Sequence, residues 1–297
     1  MTADDQEPLA RVVNLGSLNA DWVYRVPTIV TPGETLGSAA LARHAGGKGL
    51  NQSVALARAG AAVSHIGAVG SDGIWLREAL AESGVDASGV AVLEDTPTGH
   101  AIIQVDDAGE NAIVLFGGVN QATSFEAEAA FPRASCGDWL LAQNETNGIA
   151  EAITAAKRRG VAVALNPAPM SPAVASFPLD LVDLLVVNET ESRALGDAAR
   201  RTLDHGGAVV TTLGAEGAVY RCDGLEIALP AARVDRVVDT TAAGDTFVGY
   251  LLASLVRGDE SEAAMRRANQ AAALCVTRAG AMPSIPWAAE VDADAPA

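Results

Sequence analysis

Short apolar runs rich in β-branched residues alternate along the chain with longer, alanine-rich stretches of helical period. RVVNLG at 11–16 predicts a strand, and GLNQSVALARAG at 49–60 a helix that stops at Gly60. SHIGAVG at 64–70 predicts the next strand and IWLREALAESG at 74–84 the next helix. GHAIIQVDD (99–107) and NAIVLF (111–116) alternate apolar and polar positions across Asp107-Ala108-Gly109-Glu110, which predicts a hairpin. WLLAQNE (139–145), VAVALNP (161–167), LLVVNE (184–189) and AVVTTLG (208–214) then read as short buried strands. Helices such as GIAEAITAAKRRG (148–160) stand between several of them. The alternation predicts an α/β fold with a parallel sheet covered by helices on both faces. The hairpin breaks that alternation. Together with VYRVPTIVTPGET (23–35) it is expected to form a small separate β layer. The end of the chain, AAEVDADAPA at 288–297, reads as a disordered tail.

Composition narrows the setting. The chain has 297 residues, 49% of them hydrophobic, enough for a sizeable core in one large α/β domain or two ordinary ones. No stretch approaches the roughly 18 uncharged apolar residues that a membrane span needs. The acidic start, MTADDQEPLARVV, lacks the basic and apolar regions of a signal peptide, so a cytoplasmic location is expected. The three cysteines, Cys136, Cys222 and Cys275, show no paired spacing and read as buried free thiols. The four histidines, His44, His65, His100 and His205, are scattered singly and suggest no zinc site. A formal charge of −17 argues against nucleic acid and anionic membranes as partners. It also repels phosphates, so an enzyme acting on nucleotides would have to concentrate positive potential locally. Lys48 and Lys157 are the only lysines.

Four segments carry candidate chemistry. In DTTAAGDTFVGYLLASLVRG, 239–258, the small residues Ala242, Ala243 and Gly244 lead into an apolar-striped helix with Asp245 in its first turn. A helix N-terminus offers unpaired N–H groups and the positive end of a dipole, which suit an anion. A carboxylate there either caps the helix or takes a proton from an alcohol while the N–H groups stabilise a moving phosphoryl group. AGGKGLNQS, 45–53, is a glycine-rich turn before a helix; Gly49 after Lys48 rules out a Walker A loop. It is either a backbone surface open to a ligand, with Asn51 adding amide contacts, or a tight connection. NLGSLNAD, 14–21, ends a strand in Asn19 and Asp21, a pair suited to sugar hydroxyls or to an Asx turn. Glu145 also ends a strand. Asn188 and Glu191, at i and i+3 after a strand, suit either a hydrated magnesium ion or a helix cap.

Taken in order, NLGSLNAD, TPGET, GGKGLNQ, NPAP, NETE, TLGAEG, DTTAAGDTF and AAALCVTRAGAMPSIPW resemble the signatures of the pfkB carbohydrate kinase family, most closely its ribokinase-like branch. The resemblance runs from Leu15 to Trp287. It implies a three-layer α/β/α sandwich in a single domain over 1–297, with a small β-sheet lid from about 19–45 and 97–118. By position, Asn19, Ala20 and Asp21 would hold sugar hydroxyls. Gly47, Lys48, Gly49, Leu50 and Asn51 would line the same pocket, and Glu145 would contact the sugar. Thr212, Leu213, Gly214, Ala215, Glu216 and Gly217 would cradle the adenine nucleotide, with Asn188, Gly244 and Asn269 nearby. Ala242, Ala243 and Gly244 would form an anion hole, with Asp245 as base.

The resemblance also implies Mg²⁺ with ATP, associated with Asn188 and Glu191. It implies an activating K⁺ held by the Asp239 carboxylate, the carbonyls of Thr241, Cys275, Arg278 and Gly280, and Ser284; the alternative is that Asp239 pairs with an arginine such as Arg278. A homodimer through the lid is expected, because a short hairpin layer leaves Ile102, Val105 or Ile113 and Leu115 partly apolar on one face. The sequence departs from the family pattern in GGVN at 117–120 and in His100. The expected reaction is ATP-dependent phosphorylation of ribose at O5. The alternatives are deoxyribose, fructose or a nucleoside as acceptor, or a non-catalytic sugar-binding regulator.

Overall fold

A computed structural model describes residues 11–122 and 136–293; the acidic start at 1–10 and the last four residues of the expected tail, 294–297, lie outside them. In chain order the strands are β1 (Arg11–Leu15), β2 (Asn19–Arg25), β3 (Ala40–Gly46), β4 (Ala62–Gly70), β5 (Asp86–Leu93), β6 (Gly99–Val105) and β7 (Asn111–Phe116). They continue with β8 (Trp139–Gln143), β9 (Ala162–Asn166), β10 (Leu184–Asn188), β11 (Ala208–Thr212), β12 (Ala218–Cys222) and β13 (Leu225–Leu229). The α-helices are α1 (Lys48–Arg58), α2 (Ile74–Glu82), α3 (Ile149–Arg158), α4 (Glu189–Leu195), α5 (Arg200–Asp204), α6 (Ala243–Arg257), α7 (Ser261–Cys275) and α8 (Ala288–Ala293).

Nine strands form the main sheet in the order β13-β12-β11-β10-β9-β8-β1-β4-β5. Seven of them run parallel, as the alternation predicts. β12 and β13 run antiparallel at one edge, so the sheet is mixed rather than purely parallel. Strand β1 shows why there are three layers. Val12 packs into one core cluster with Leu50, Leu56, Tyr250 and Met265 of α1, α6 and α7, while Val13 and Leu15 pack into another with Ile149 and Ile153 of α3. Successive residues of a strand point to opposite faces, so a strand buried on both faces reads as a continuous apolar run. The strand order reverses direction at β1 and β8, and ligands of such sheets sit in the crevice at the carboxyl ends around that point.

A second sheet, in the order β3-β2-β6-β7, stands beside those carboxyl ends. Its hairpin β6–β7 turns where the sequence places it. Of the stretch 23–35, only the residues up to Arg25 form a strand; Pro27 and Pro32 remove donors from the remainder. The third strand is instead β3, ALARHAG, which pairs with β2 from Ala40 opposite Arg25 to Gly46 opposite Asn19. The small sheet also touches the main body through a side chain. The Arg43 guanidinium lies 5.7 Å from the Trp22 ring centroid and 4.4 Å from that of Trp75 on α2.

Two further expectations change. Residues 288–293 of the expected tail form α8, because Val291 is buried against the core and Arg58 covers Trp287 at 5.0 Å. All three cysteines are unpaired, but only Cys275 is buried; Cys136 is exposed. Among the described residues, no helix is long and apolar enough to cross a membrane.

Candidate active site

The ends of β1, β8, β10 and β11 and the start of α6 meet at one edge of the main sheet. Ala242 opens α6 in the left-handed conformation, φ 62° and ψ 6°, and turns the chain sharply into the helix. The N–H groups of Gly244 and Asp245 lie in the first turn, where an α-helix has no internal acceptor for them. A Cβ on Gly244 would meet nothing within 4 Å, so the space before this turn is open. Asp245 is 8% exposed. Its Oδ2 accepts from Asn51 Nδ2 at 3.0 Å and its Oδ1 from Gln52 Nε2 at 2.9 Å. The carboxylate is therefore aimed by α1 rather than spent on capping α6, which has no side-chain cap.

The glycine-rich turn 45–49 reaches this point because its glycines let two backbones touch. Gly47 has φ 93°, and a Cβ on Gly49 would sit 2.3 Å from Ser17 N. Glu145 Oε2 joins the two segments, accepting from the Ser17 hydroxyl and from Lys48 N. Burial raises the Glu145 carboxyl above its ordinary range, against the opposing pull of Ser17 and Lys48. Lys48 is the site's cation. Asp245 raises its ammonium most, with Glu145 and Glu191 adding to the effect against burial.

On the sugar side expected from the sequence, Asn19 and Asp21 share one face of β2. Asn120 Nδ2 donates to Asn19 Oδ1 at 2.8 Å, and a cleft lined by Asn19, Asn120, Asn144 and Glu145 opens here. Burial, followed by the charge of Glu145, pushes Asp21 up to about 7. Ala20 points to the opposite face of β2, and Leu50 is fully buried in the core, so neither side chain lines the cleft. Asn51 uses its amide nitrogen on Asp245, while its Oδ1 is buried without a protein partner. His100 pairs in register with Ala20 and stacks on Phe116 at 5.2 Å, so it faces away from Asn19 and Asp21.

On the nucleotide side expected from the sequence, Thr212 ends β11 and Leu213–Gly217 form a tight turn closed by Leu213 N to Gly217 O at 2.8 Å. Gly217 has φ 104°, and a Cβ there would meet Leu229 O at 2.0 Å, so no other residue fits. Asn269 Nδ2 donates to Pro230 O at 3.1 Å beside that turn. Asn188 pairs with Thr212 across β10 and β11.

Asn188 and Glu191 form a complete capping box on α4. Asn188 Oδ1 accepts from Glu191 N at 2.8 Å, and Glu191 Oε2 accepts from Asn188 N at 2.9 Å. The bland reading thus accounts for these atoms, and only an ion holding its own water shell suits the pair.

Behind the anion turn, Asp239 bridges two loops. Its Oδ1 accepts from Thr241 N and Oγ1, and its Oδ2 from Gly280 N at 2.9 Å. Burial works against its ionisation, yet these hydrogen bonds prevail and hold the carboxyl below its ordinary range. Arg278 pairs with Glu290 instead, at 2.6 Å, and the arginine charge that acts on Asp239 is that of Arg25. Cys275 Sγ lies 3.1 Å from Ser284 Oγ and 3.7 Å from Thr241 O, which brings the remaining segments together. The sequence reading passed over Ser17, Gln52 and Asn120. All three stand inside motifs it singled out, NLGSLNAD, AGGKGLNQS and GGVN.

The chain is similar to known proteins over nearly its whole length. The model of the pfkB family carbohydrate kinases matches residues 9–288. A ribokinase from Haemophilus influenzae is 39% identical over 92% of this chain and 94% of its own. A deoxyribokinase from Salmonella typhi is 32% identical over 92% of this chain and 94% of its own. The structure of Arabidopsis thaliana ribokinase complexed with ribose and ATP superposes with a TM-score of 0.86 at 31% identity, covering 96% of this chain and 98% of that one. The family model and these relatives each cover nearly the whole length, and the chain belongs to the pfkB family of carbohydrate kinases.

Proposed function

We propose that the chain transfers the γ-phosphoryl group of ATP to O5 of ribose, giving ribose 5-phosphate. The observation that carries this reading is Asp245, buried at the open start of α6 and aimed by two amide donors. Asp245 accepts the hydroxyl proton as O5 attacks. The turn Ala242–Gly244 directs its N–H groups at the phosphoryl oxygens as charge moves onto the leaving phosphate. Lys48 supplies the fixed positive charge beside Asp245, in a chain whose overall charge is −17. Asn19, Asp21, Asn51 and Glu145 bind the sugar hydroxyls. Thr212–Gly217, Asn188 and Asn269 hold the nucleotide. Mg²⁺ bound with ATP would neutralise phosphate charge, and Asn188 and Glu191, already paired in the capping box, would hold it through water. A K⁺ ion suits the loop pair joined by Asp239, with carbonyls of Thr241, Cys275, Arg278 and Gly280 and the Ser284 hydroxyl as further oxygens. Such an ion would fix the anion turn without touching substrate.

Ribose is favoured over a nucleoside because the pocket presents Asn19, Asp21 and Asn120, and aromatic residues make up only 4% of the chain. We further propose that two chains pair through the small sheet. Leu41, Ile102, Val114 and Phe116 share the face turned away from Asn19 and Asp21 and are 41–66% exposed. Of the alternatives raised by the sequence, this selects Ile102; Leu115 stands on the sugar side. The unpaired thiols suit the cytoplasm.

The test is an ADP-release assay across ribose, deoxyribose, fructose and nucleosides. Asp245→Asn keeps size but removes the base, and kcat is expected to fall by roughly 10²–10⁴-fold with ATP binding retained. Near-normal turnover in that variant refutes the assignment, and a higher kcat/KM for deoxyribose or a nucleoside would move the substrate.

A further inference from the structure

Four strand residues beneath α1 are polar where their neighbours on the same face are apolar. Asn14, His65, Gln143 and Asn166 follow Val12, Val63, Leu141 and Ala164 by two positions, so they point to the α1 side of the sheet. None is more than 8% exposed, and Gln52 and Ser53 on α1 are fully buried. Burying such groups unpaired is strongly unfavourable, so their hydrogen bonds decide which atom faces which.

Three backbone carbonyls, which can only accept, set the direction of this layer. Gly49 O takes Asn14 Nδ2 at 2.8 Å, so Asn14 Oδ1 faces the other way and accepts from Gln143 Nε2 at 2.9 Å. The second N–H of Gln143 donates to Gln52 Oε1 at 2.8 Å. Gln52 therefore turns its nitrogen outward, to Asn166 Oδ1 and Asp245 Oδ1, each at 2.9 Å. Val186 O fixes Asn166 independently, accepting from its Nδ2 at 2.9 Å. Gly16 O, 3.2 Å from His65 Nε2, places the ring proton there, so His65 Nδ1 accepts from Ser53 Oγ at 2.8 Å. Ser53 Oγ in turn accepts from Asn14 Nδ2 at 2.8 Å. Burial lowers the imidazole to about 4 and keeps the ring neutral, as this pattern needs.

We propose that Gln52 is a positioning residue for Asp245, its amide locked by the polar layer beneath α1 so that an N–H, never the carbonyl oxygen, faces Asp245 Oδ1. With Asn51 on Oδ2, both carboxylate oxygens are aimed, and each keeps a lone pair for the incoming hydroxyl proton. A mobile carboxylate would sample orientations that point away from O5, so the layer acts on turnover rather than on sugar affinity. The inference rests on Asp245 as the base.

The experiment is a double-mutant cycle of Gln52→Met with Asp245→Asn, read by ADP release with ribose and ATP. In the wild-type background Gln52→Met is expected to lower kcat roughly 10- to 100-fold, the loss of one hydrogen bond to a charged group, with ribose KM within about two-fold. In the Asp245→Asn background the same change is expected to lower kcat by less than about three-fold, because its target is gone. Equal losses in both backgrounds, or a loss in ribose KM alone, overturn the proposal. Full activity of Asp245→Asn by itself would instead refute the assignment of the base. Should Gln52→Met fail to fold, Gln52→Leu likewise lacks the donor and brings no ionisable group, and the same cycle applies. In the unaltered protein, ¹⁵N spectra of His65 are expected to show a neutral ring protonated on Nε2. The opposite tautomer would overturn the direction assigned to the layer.

Discussion

Replacing Gly46 by alanine strikes the proposed sugar site from behind. Gly46 lies opposite Asn19 in the β2–β3 ladder, and the Asp21 side chain folds over it. An added Cβ would stand 2.0 Å from Asp21 Oδ2, 2.5 Å from its Cγ and 2.8 Å from its Oδ1. Asp21 cannot remain where it is. The colliding atoms end a short side chain that can turn away, and Gly46 is not among the positive-φ glycines, so the backbone tolerates the methyl group. Stability should therefore change by less than about 1 kcal/mol. Binding should change far more. A hydrogen bond to a charged group contributes about 1.5–3 kcal/mol, so displacing the carboxylate should raise ribose KM by roughly 13- to 160-fold. The assay is ADP release against ribose at saturating ATP, with thermal melting alongside. Gly49→Ala is the contrast. Its Cβ would meet Ser17 N at 2.3 Å and Gly16 Cα at 2.5 Å, backbone atoms that cannot turn aside. That variant should lose about 1–3 kcal/mol or more of stability. A folded Gly46→Ala protein with ribose KM within about three-fold of normal would refute the placement of Asp21.

Asp21 is held up to about 7, above the ordinary 3.8 of its carboxyl, so the folded state binds the extra proton and stability should decline as pH rises between about 4 and about 7. The ionised form accepts sugar hydroxyls, so ribose KM should fall as pH rises through about 7; melting and kinetic profiles that Asp21→Asn leaves unchanged would refute both expectations. With Mg²⁺ and ATP fixed, K⁺ should raise kcat above Na⁺ or a bulky ammonium salt at equal ionic strength, and Asp239→Ala should abolish the difference; equal rates in all salts would remove the cation site. Val114→Lys places a charge on the exposed face of the small sheet and should give monomers by light scattering; a protein already monomeric at micromolar concentration would end the dimer proposal.

What could be read from the sequence followed from how local each signal was. The parallel strands and the hairpin β6–β7 are legible because their patterns arise within a few residues. β3 was not: ALARHAG is rich in alanine and arginine, most of it is exposed, and it becomes a strand only by pairing with β2. The antiparallel edge β12–β13 likewise depends on the turn at Asp223-Gly224 and on β11 beside it. In the site, Asp245, Asn19 and Glu145 stood out as polar residues at element ends. Asn14, Gln143 and Asn166 did not, since each sits inside or at the edge of an apolar run. Their role depends on four strands lying side by side. For Asn188 and Glu191 the spacing signalled a cap as well as a metal, and the cap is what formed.

The scarcity of side-chain amines has a practical side. Lys48 is shielded by its carboxylate neighbours, which keep it protonated and a poor nucleophile. Lys157 lies at the far end of the main sheet, ion-paired to Asp183 just before β10 and partly open to solvent. Amine-directed labels or surface couplings should therefore attach at Lys157 with little competition from the other lysine. The catalytic edge would then face away from a support or a dye. Conjugates made through a lysine side chain of this protein should present a single orientation, rather than a distribution; those made at a pH near 7 would add the α-amino group as a second point of attachment.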